Sequence, residues 1–141
     1  ALGVKTVFNI LGPLTNPAGA EYQLLGASTV ERAHLLANAL ARLGCRRAFV
    51  VCGNNELDEV SLWGTSTALE VRDGSVIAHQ WTSQSFGLKE CNVETLKVKS
   101  AAESAAMIKE AFANSSSPAA SMVLANTAAA LLASERANSL P

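Results

Sequence analysis

Asp58 and Glu59 are adjacent carboxylates at the end of the run Gly53 to Glu59, GNNELDE. A hard divalent cation such as Mg2+ takes oxygen ligands of this kind, one or two carboxylates with water and substrate phosphate completing the set. In that role the pair would hold positive charge against a departing pyrophosphate. The same residues also suit a solvated acidic loop, or the first turn of a helix where carboxylates complement the dipole. Gly53-Asn54-Asn55 has the composition of a phosphate-cradling turn and equally of an ordinary one, since glycine and asparagine both enter left-handed backbone readily. No dinucleotide-binding glycine fingerprint and no Walker-type phosphate loop occurs. His34 falls in a helical pattern and His79 in a strand pattern, and neither has a Ser, Cys or acid spaced as in a catalytic set, so both read as structural. Cys52 directly precedes the acidic loop and either faces a cleft or is a small buried residue. Trp63 and Trp81 read as packing residues.

Several elements must position that loop. Tyr22 to Ala27 is short, apolar and closed by Gly26, which predicts a buried strand. Ser28 and Glu31 have capping-box spacing, and Ala33, Leu36, Ala37, Leu40 and Leu43 recur at helical intervals before Gly44. Ala48 to Cys52 is a continuous apolar run, as in strands covered on both faces. Strand, helix, strand in this order predicts a right-handed crossover between parallel strands. Ligands collect beyond the carboxyl ends of such strands, and for the second strand that place is GNNELDE. Alternation on either side of Asp73-Gly74 predicts a hairpin. Ser100 with Glu103 opens a helix whose apolar positions are Ala105, Met107, Ile108, Ala111 and Phe112. Ser117-Pro118 opens the last helix, which is rich in Ala and Leu on nearly all sides and so is expected to be buried against other elements. Near the start, Thr6 to Leu11 reads as a helix stopped by Gly12-Pro13, with a turn following at Asn16-Pro17.

With 141 residues and a 49% hydrophobic fraction, the chain is expected to form one domain with a real core. Its 11 basic and 12 acidic residues are mixed along the sequence for a net charge of -1, which argues against a nucleic-acid partner. No apolar run reaches the roughly 20 residues that cross a bilayer, so no membrane partner is expected. Cys45, Cys52 and Cys91 are odd in number and widely spaced, as reduced cytoplasmic thiols would be. The first residues, ALGVKT, carry no initiator methionine and no secretory pattern, consistent with a piece of a longer protein.

The segment Leu2 to Ala18, LGVKTVFNILGPLTNPA, closely resembles the signature segment of the anthranilate phosphoribosyltransferases. YQLLGAS, LARLGCRRAFVVCG, LDEVS and the SFGL of Ser85 to Leu88 resemble the same family in order and spacing, so the likeness covers nearly the whole chain. It implies an α/β fold, residues 1–141 being one piece of the large domain of the nucleoside phosphorylase and phosphoribosyltransferase class. That piece would have a mostly parallel central sheet, flanking helices and one β-hairpin, and would lack the small helical domain. The implied reaction is transfer of phosphoribosyl from phosphoribosyl pyrophosphate to anthranilate with Mg2+, in the biosynthesis of tryptophan. By the same resemblance Asp58 and Glu59 bind the Mg2+, Gly12 and Pro13 line the anthranilate channel, and no residue serves as a covalent nucleophile. A homodimer and a cytoplasmic location are implied for the full-length chain. The family's phosphate-binding segments lie earlier in its sequence, so this chain alone is expected to be inactive. It departs from the family at Cys52-Gly53 and Asn54-Asn55, where His-Gly and Asp-Gly are usual, and at Glu103-Ser104-Ala105, where Glu-Asn-Ala is usual. A pyrimidine nucleoside phosphorylase-like enzyme, or a noncatalytic binding or assembly module of the same fold, are the alternatives.

Overall fold

The strand Arg47–Gly53 (β2) is buried at every position and forms the spine of the molecule. Its side chains alternate between two cores, as the twofold period of a strand requires. Ala48, Val50 and Cys52 pack with Ala33, Leu36, Ala37 and Leu40 of the helix Val30–Arg42 (α1), while Phe49 and Val51 pack with Met122, Ala125, Ala129 and Leu132 of the helix Pro118–Ala133 (α3). The result is helix, sheet, helix in three layers. The computed structural model describes residues 11–15 and 19–141. The helix expected from Thr6 lies outside them except for Leu11, and the Asn16-Pro17 turn lies outside them altogether.

Strand β1, Tyr22–Gly26, pairs parallel to β2 from Tyr22 opposite Arg47 to Gly26 opposite Val51, with α1 as the crossover. On its other side β2 pairs antiparallel with Ser66–Arg72 (β3), and β3 pairs antiparallel with Ser75–Trp81 (β4). The order is β1-β2-β3-β4. The α/β class, the flanking helices and the hairpin are as expected, but among these strands only the first pairing is parallel, so the sheet is mixed rather than mostly parallel. The cause is local. No helix intervenes between β2 and β3: the connection, residues 54–65, is a loop that stays at the end of the sheet where β2 finishes, so the next strand runs back antiparallel. The hairpin turn has both Asp73 (φ 50) and Gly74 (φ 73) in left-handed backbone, the requirement of a two-residue type I′ turn.

Two local expectations change, the cap of α1 and the stop at Gly12-Pro13. The cap of α1 is Thr29, whose side chain accepts from the Arg32 amide at 3.3 Å; Ser28 lies one residue too early and its hydroxyl instead accepts from Arg32 Nη1 at 2.8 Å. The helix Ala101–Ala113 (α2) has its expected Ser100 cap but buries none of its residues. Both sheet faces are already covered, by α1 and α3, so α2 rests on α3 and leaves Ile108 and Phe112 outside, Phe112 being 84% exposed. In α3, capped by Ser117 with Pro118 in the first turn, one face is buried while Val123, Leu124 and Leu131 are exposed. Finally, Gly12-Pro13 does not stop the chain's helical winding, because Gly12–Leu14 forms a 3-10 turn with the proline in its first positions, where an N–H is not needed.

At the end of the sheet where β1 and β2 begin, a charge cluster closes the fold. Glu135, just beyond α3, takes left-handed backbone (φ 58) and turns its carboxylate toward Arg46 (3.5 Å), Arg47 (3.9 Å) and Arg72 (3.6 Å), and accepts from the Tyr22 hydroxyl at 3.0 Å. Arg47 also pairs with Glu70 at 2.8 Å, and His79 meets the same carboxylate at 3.0 Å, which gives that histidine a structural role. His34 is exposed on α1.

Candidate active site

At the opposite end, the loop from Gly53 to Val60 is folded back over the carboxyl ends of the two parallel strands. Its first half is a tight turn. The Gly53 amide donates to the Leu57 carbonyl at 2.8 Å and the Leu57 amide donates back to the Gly53 carbonyl at 2.9 Å. The turn needs left-handed backbone at Asn54 (φ 49) and Asn55 (φ 55), which asparagine adopts more readily than other side-chain-bearing residues. Both side chains are used: Asn54 Nδ2 donates to Glu56 Oε1 at 2.8 Å, and Asn55 Oδ1 accepts from the Val30 amide at 2.9 Å, giving the first turn of α1 a second acceptor. Trp63 Nε1 also donates to Glu56 Oε1 at 2.9 Å. These bonds favour the ionised form, led by the one from Trp63, and hold Glu56 below the usual carboxylate range.

Two glycines let the second half of the loop lie flat on the strand ends. A Cβ at Gly26 would come to 1.7 Å from the Asp58 carbonyl oxygen, and one at Gly53 would come to 2.6 Å from the Glu59 carbonyl oxygen. After Glu59 the chain is held by α3: Asn126 Oδ1 accepts from the Val60 amide at 2.9 Å and Asn126 Nδ2 donates to the Val60 carbonyl at 3.1 Å. Leu57 to Val60 is therefore an arch pinned at both feet. Its crown presents Asp58 and Glu59, both exposed. Every ion pair among the described residues lies elsewhere, and neither carboxylate accepts a hydrogen bond from them. Glu59 borders a hollow of about 350 Å3 lined also by Leu57, Trp63, Lys97 and Met122. Asp58 lies on the β1 side, over Gly26.

Two hard carboxylates without partners among the described residues are donors of the kind Mg2+ takes when substrate oxygens and water supply the rest. Among the described residues no group of three His, Cys, Asp or Glu side chains gathers into a metal cage, so the fit is to a shared rather than an all-protein site. Cys52 does not face this opening. It is fully buried against α1, and that burial pushes its thiol up from the ordinary range, with the Asp58 charge adding to the effect.

Gly12 and Pro13 are not brought to the arch by the described residues. Leu14, next to them, lines a hollow with Leu40, Leu43 and Cys45 at the far end of α1, whereas Asn55 holds the near end. The helix has 13 residues, a length of about 20 Å. Gly12 is exposed, and a Cβ added to it would meet nothing within 4 Å.

Two positions escaped sequence reasoning. Gly26 reads in the sequence as a strand terminator, and its contact with Asp58 joins segments that no local pattern links. Asn126 is a polar residue of middling helix propensity inside the apolar run MVLANTAAALLA, and that mismatch was the available signal.

A sheet with a βαβ unit, an acidic loop over its carboxyl edge and helices on both faces puts the chain in the α/β class. The chain belongs to the glycosyl transferase family, a/b domain, whose family model matches residues 1–141. It is 42% identical over 139 residues to the anthranilate phosphoribosyltransferase of Alkalilimnicola ehrlichii, with 99% of this chain and 41% of that protein aligned. It is 44% identical to the anthranilate phosphoribosyltransferase of Herpetosiphon aurantiacus, over 98% of this chain and 41% of that protein. The crystal structure of anthranilate phosphoribosyltransferase from Thermus thermophilus superposes with a TM-score of 0.80 at 37% identity, covering 98% of this chain and 40% of that one. The Saccharomyces cerevisiae enzyme in complex with PRPP and Mg superposes with a TM-score of 0.80 at 30% identity, covering 96% and 40%. The chain thus spans about two fifths of the length of the relatives it matches. No single helix among the described residues is long and apolar enough to cross a membrane.

Proposed function

We propose that this chain is the cation-binding part of an anthranilate phosphoribosyltransferase. In a chain of the relatives' length it would help transfer the phosphoribosyl group of phosphoribosyl pyrophosphate to anthranilate, giving phosphoribosylanthranilate and pyrophosphate. The observation that carries the reading is the arch: two adjacent carboxylates, unpaired among the described residues, held over the carboxyl ends of β1 and β2. The relatives support it, since the Saccharomyces cerevisiae enzyme is seen with PRPP and Mg and also with 4-fluoroanthranilate.

Asp58 and Glu59 would hold the Mg2+, which when bound stabilises the negative charge that develops on a leaving diphosphate. The chain's own contribution is placement. Gly26 and Gly53 let the backbone of the arch lie against the strand ends, the Gly53–Leu57 pair and Asn126 fix its two feet, and Glu56 is held by Trp63 and Asn54 away from the other two acids' task. Displacement at C1 of the ribose by the amine of anthranilate needs no protein nucleophile, so charge stabilisation and orientation are the main levers. Gly12 and Pro13 are assigned to a wall of the anthranilate channel. That assignment rests on the resemblance of Leu2 to Ala18 to the family's signature segment. A homodimer and a cytoplasmic location follow from the resemblance.

The test is the loss of anthranilate fluorescence when phosphoribosyl pyrophosphate and Mg2+ are added to the full-length protein carrying this segment. Asp58→Asn with Glu59→Gln is expected to lower kcat/KM by about 100-fold or more. A double variant with the rate and Mg2+ dependence of the unchanged protein refutes the assignment.

A further inference from the structure

We propose that Asn126 is a positioning residue for the acidic pair, holding the arch of Asp58 and Glu59 at the geometry a divalent cation requires. The inference rests on the reading that these two carboxylates take the cation.

The carboxamide of Asn126 is fully used. Its oxygen accepts from the Val60 amide at 2.9 Å, and its nitrogen donates to the Val60 carbonyl at 3.1 Å and to the Met122 carbonyl, one turn back in α3, at 3.0 Å. Exchanging oxygen and nitrogen would set donor against donor at the Val60 amide and acceptor against two carbonyls, so the orientation follows from the partners. Val60 is wholly buried, and its backbone groups have no strand partner. One side chain thus does for Val60 what a neighbouring strand does for a residue in a sheet. The bond to Met122 anchors it to a helix turn that is itself packed on the sheet.

The consequence reaches Glu59 and Asp58 because Val60 follows them directly. Leu57, at the other foot, is tied to Gly53 and hence to β2. Were the Asn126 bonds lost, the Val60 foot would keep only the buried Val60 side chain and the bond of the Ser61 amide to Ser66 Oγ at 2.9 Å, and the two carboxylates would sample a wider range of positions. Removing partners that orient a metal ligand typically weakens metal affinity about 10- to 100-fold. Asn126 touches no ligand, and its effect passes through the backbone.

The experiment is an NMR titration of the full-length protein carrying this segment with MnCl2 in the presence of phosphoribosyl pyrophosphate, reading paramagnetic broadening at the Asp58 and Glu59 amides, together with hydrogen exchange at Val60 without metal. In Asn126→Ala the Val60 amide is expected to lose protection while Val50 and Val51 in β2 keep theirs, and the Mn2+ midpoint is expected to rise about 10-fold or more. Asn126→Ser, whose hydroxyl is too short to serve both Val60 groups, is expected to do the same and replaces the alanine variant should that one not fold. A midpoint within twofold of the unchanged protein, in a variant whose β2 remains protected, overturns the proposal. The cation reading fails separately: it falls if the unchanged protein shows no broadening at the pair, or if Asp58→Asn with Glu59→Gln leaves the midpoint where it was. In either case the clamp loses its purpose and the proposal falls with it.

Discussion

Gly26→Ala is the most direct challenge to the architecture of the arch. The added Cβ would lie 1.7 Å from the Asp58 carbonyl oxygen, 2.6 Å from the Asp58 carbonyl carbon and 3.0 Å from the Asp58 Cβ. Ordinary contact begins near 3.4 Å, so the arch or the strand must give way by about 1.7 Å. Backbone is on the receiving side, and it is fastened at Leu57 and at Val60, so no rotamer change relieves the clash. Overpacking of this kind costs about 1–3 kcal/mol. At roughly 4 °C per kcal/mol for a domain of this size, a central value of about 2 kcal/mol lowers Tm by about 8 °C. Gly12→Ala is the control, because its Cβ would meet nothing within 4 Å, and it is expected to stay within about 0.5 kcal/mol of the unchanged protein. Thermal unfolding followed by circular dichroism compares the two, and the Mn2+ titration reports the displaced pair as a weaker midpoint. A Gly26→Ala protein that melts within 1 °C of the Gly12→Ala protein would show that the loop does not rest on β1, and the reasoning from close approach would be wrong.

Glu135→Ala removes the acceptor shared by three arginines and Tyr22 and is expected to cost about 1–2 kcal/mol, the part exposure of the carboxylate keeping the figure low. Glu135→Gly loses the same contacts but relieves the left-handed backbone, so it should melt above the alanine variant by about 1 kcal/mol, and the reverse order refutes the strain. The hydrogen bonds that lower Glu56 form with its ionised carboxylate, so their contribution is present above the ordinary carboxylate range and is lost as pH falls through the lowered value. The Trp63 indole N–H resonance should therefore shift with a midpoint below that range, and a midpoint at or above it, or a step that survives in Glu56→Gln, contradicts the assignment.

Much of the fold is legible where a pattern is local. The apolar run of Ala48 to Cys52 announces a strand covered on both faces, and Asp73-Gly74 announces its turn, because each feature depends on neighbouring residues alone. The antiparallel return of β3 depends on the absence of a helix after Gly53, which a hunt for crossover units passes over. The partial exposure of α3 has a related cause: a helix apolar on nearly all sides signals that something covers it, but the sheet's two faces accept only two layers, so Leu124 stays outside. At the site, Asp58 and Glu59 stand out as a pair of acids on a loop. What holds them does not, since the Gly26–Asp58 contact spans 32 positions and the Asn126–Val60 clamp spans 66. Asn54 and Asn55, departures from the family's usual residues, prove to suit a turn that demands left-handed backbone.

The double fastening of the arch bears on thermodynamics as well as shape. A loop already fixed at both ends has little chain entropy left to surrender when a ligand arrives, a saving of about 1–2 kcal/mol for each residue that would otherwise need to be ordered. At the proposed cation site, binding should then be nearly free of heat-capacity change, the signature of docking onto a rigid surface rather than of folding around a guest.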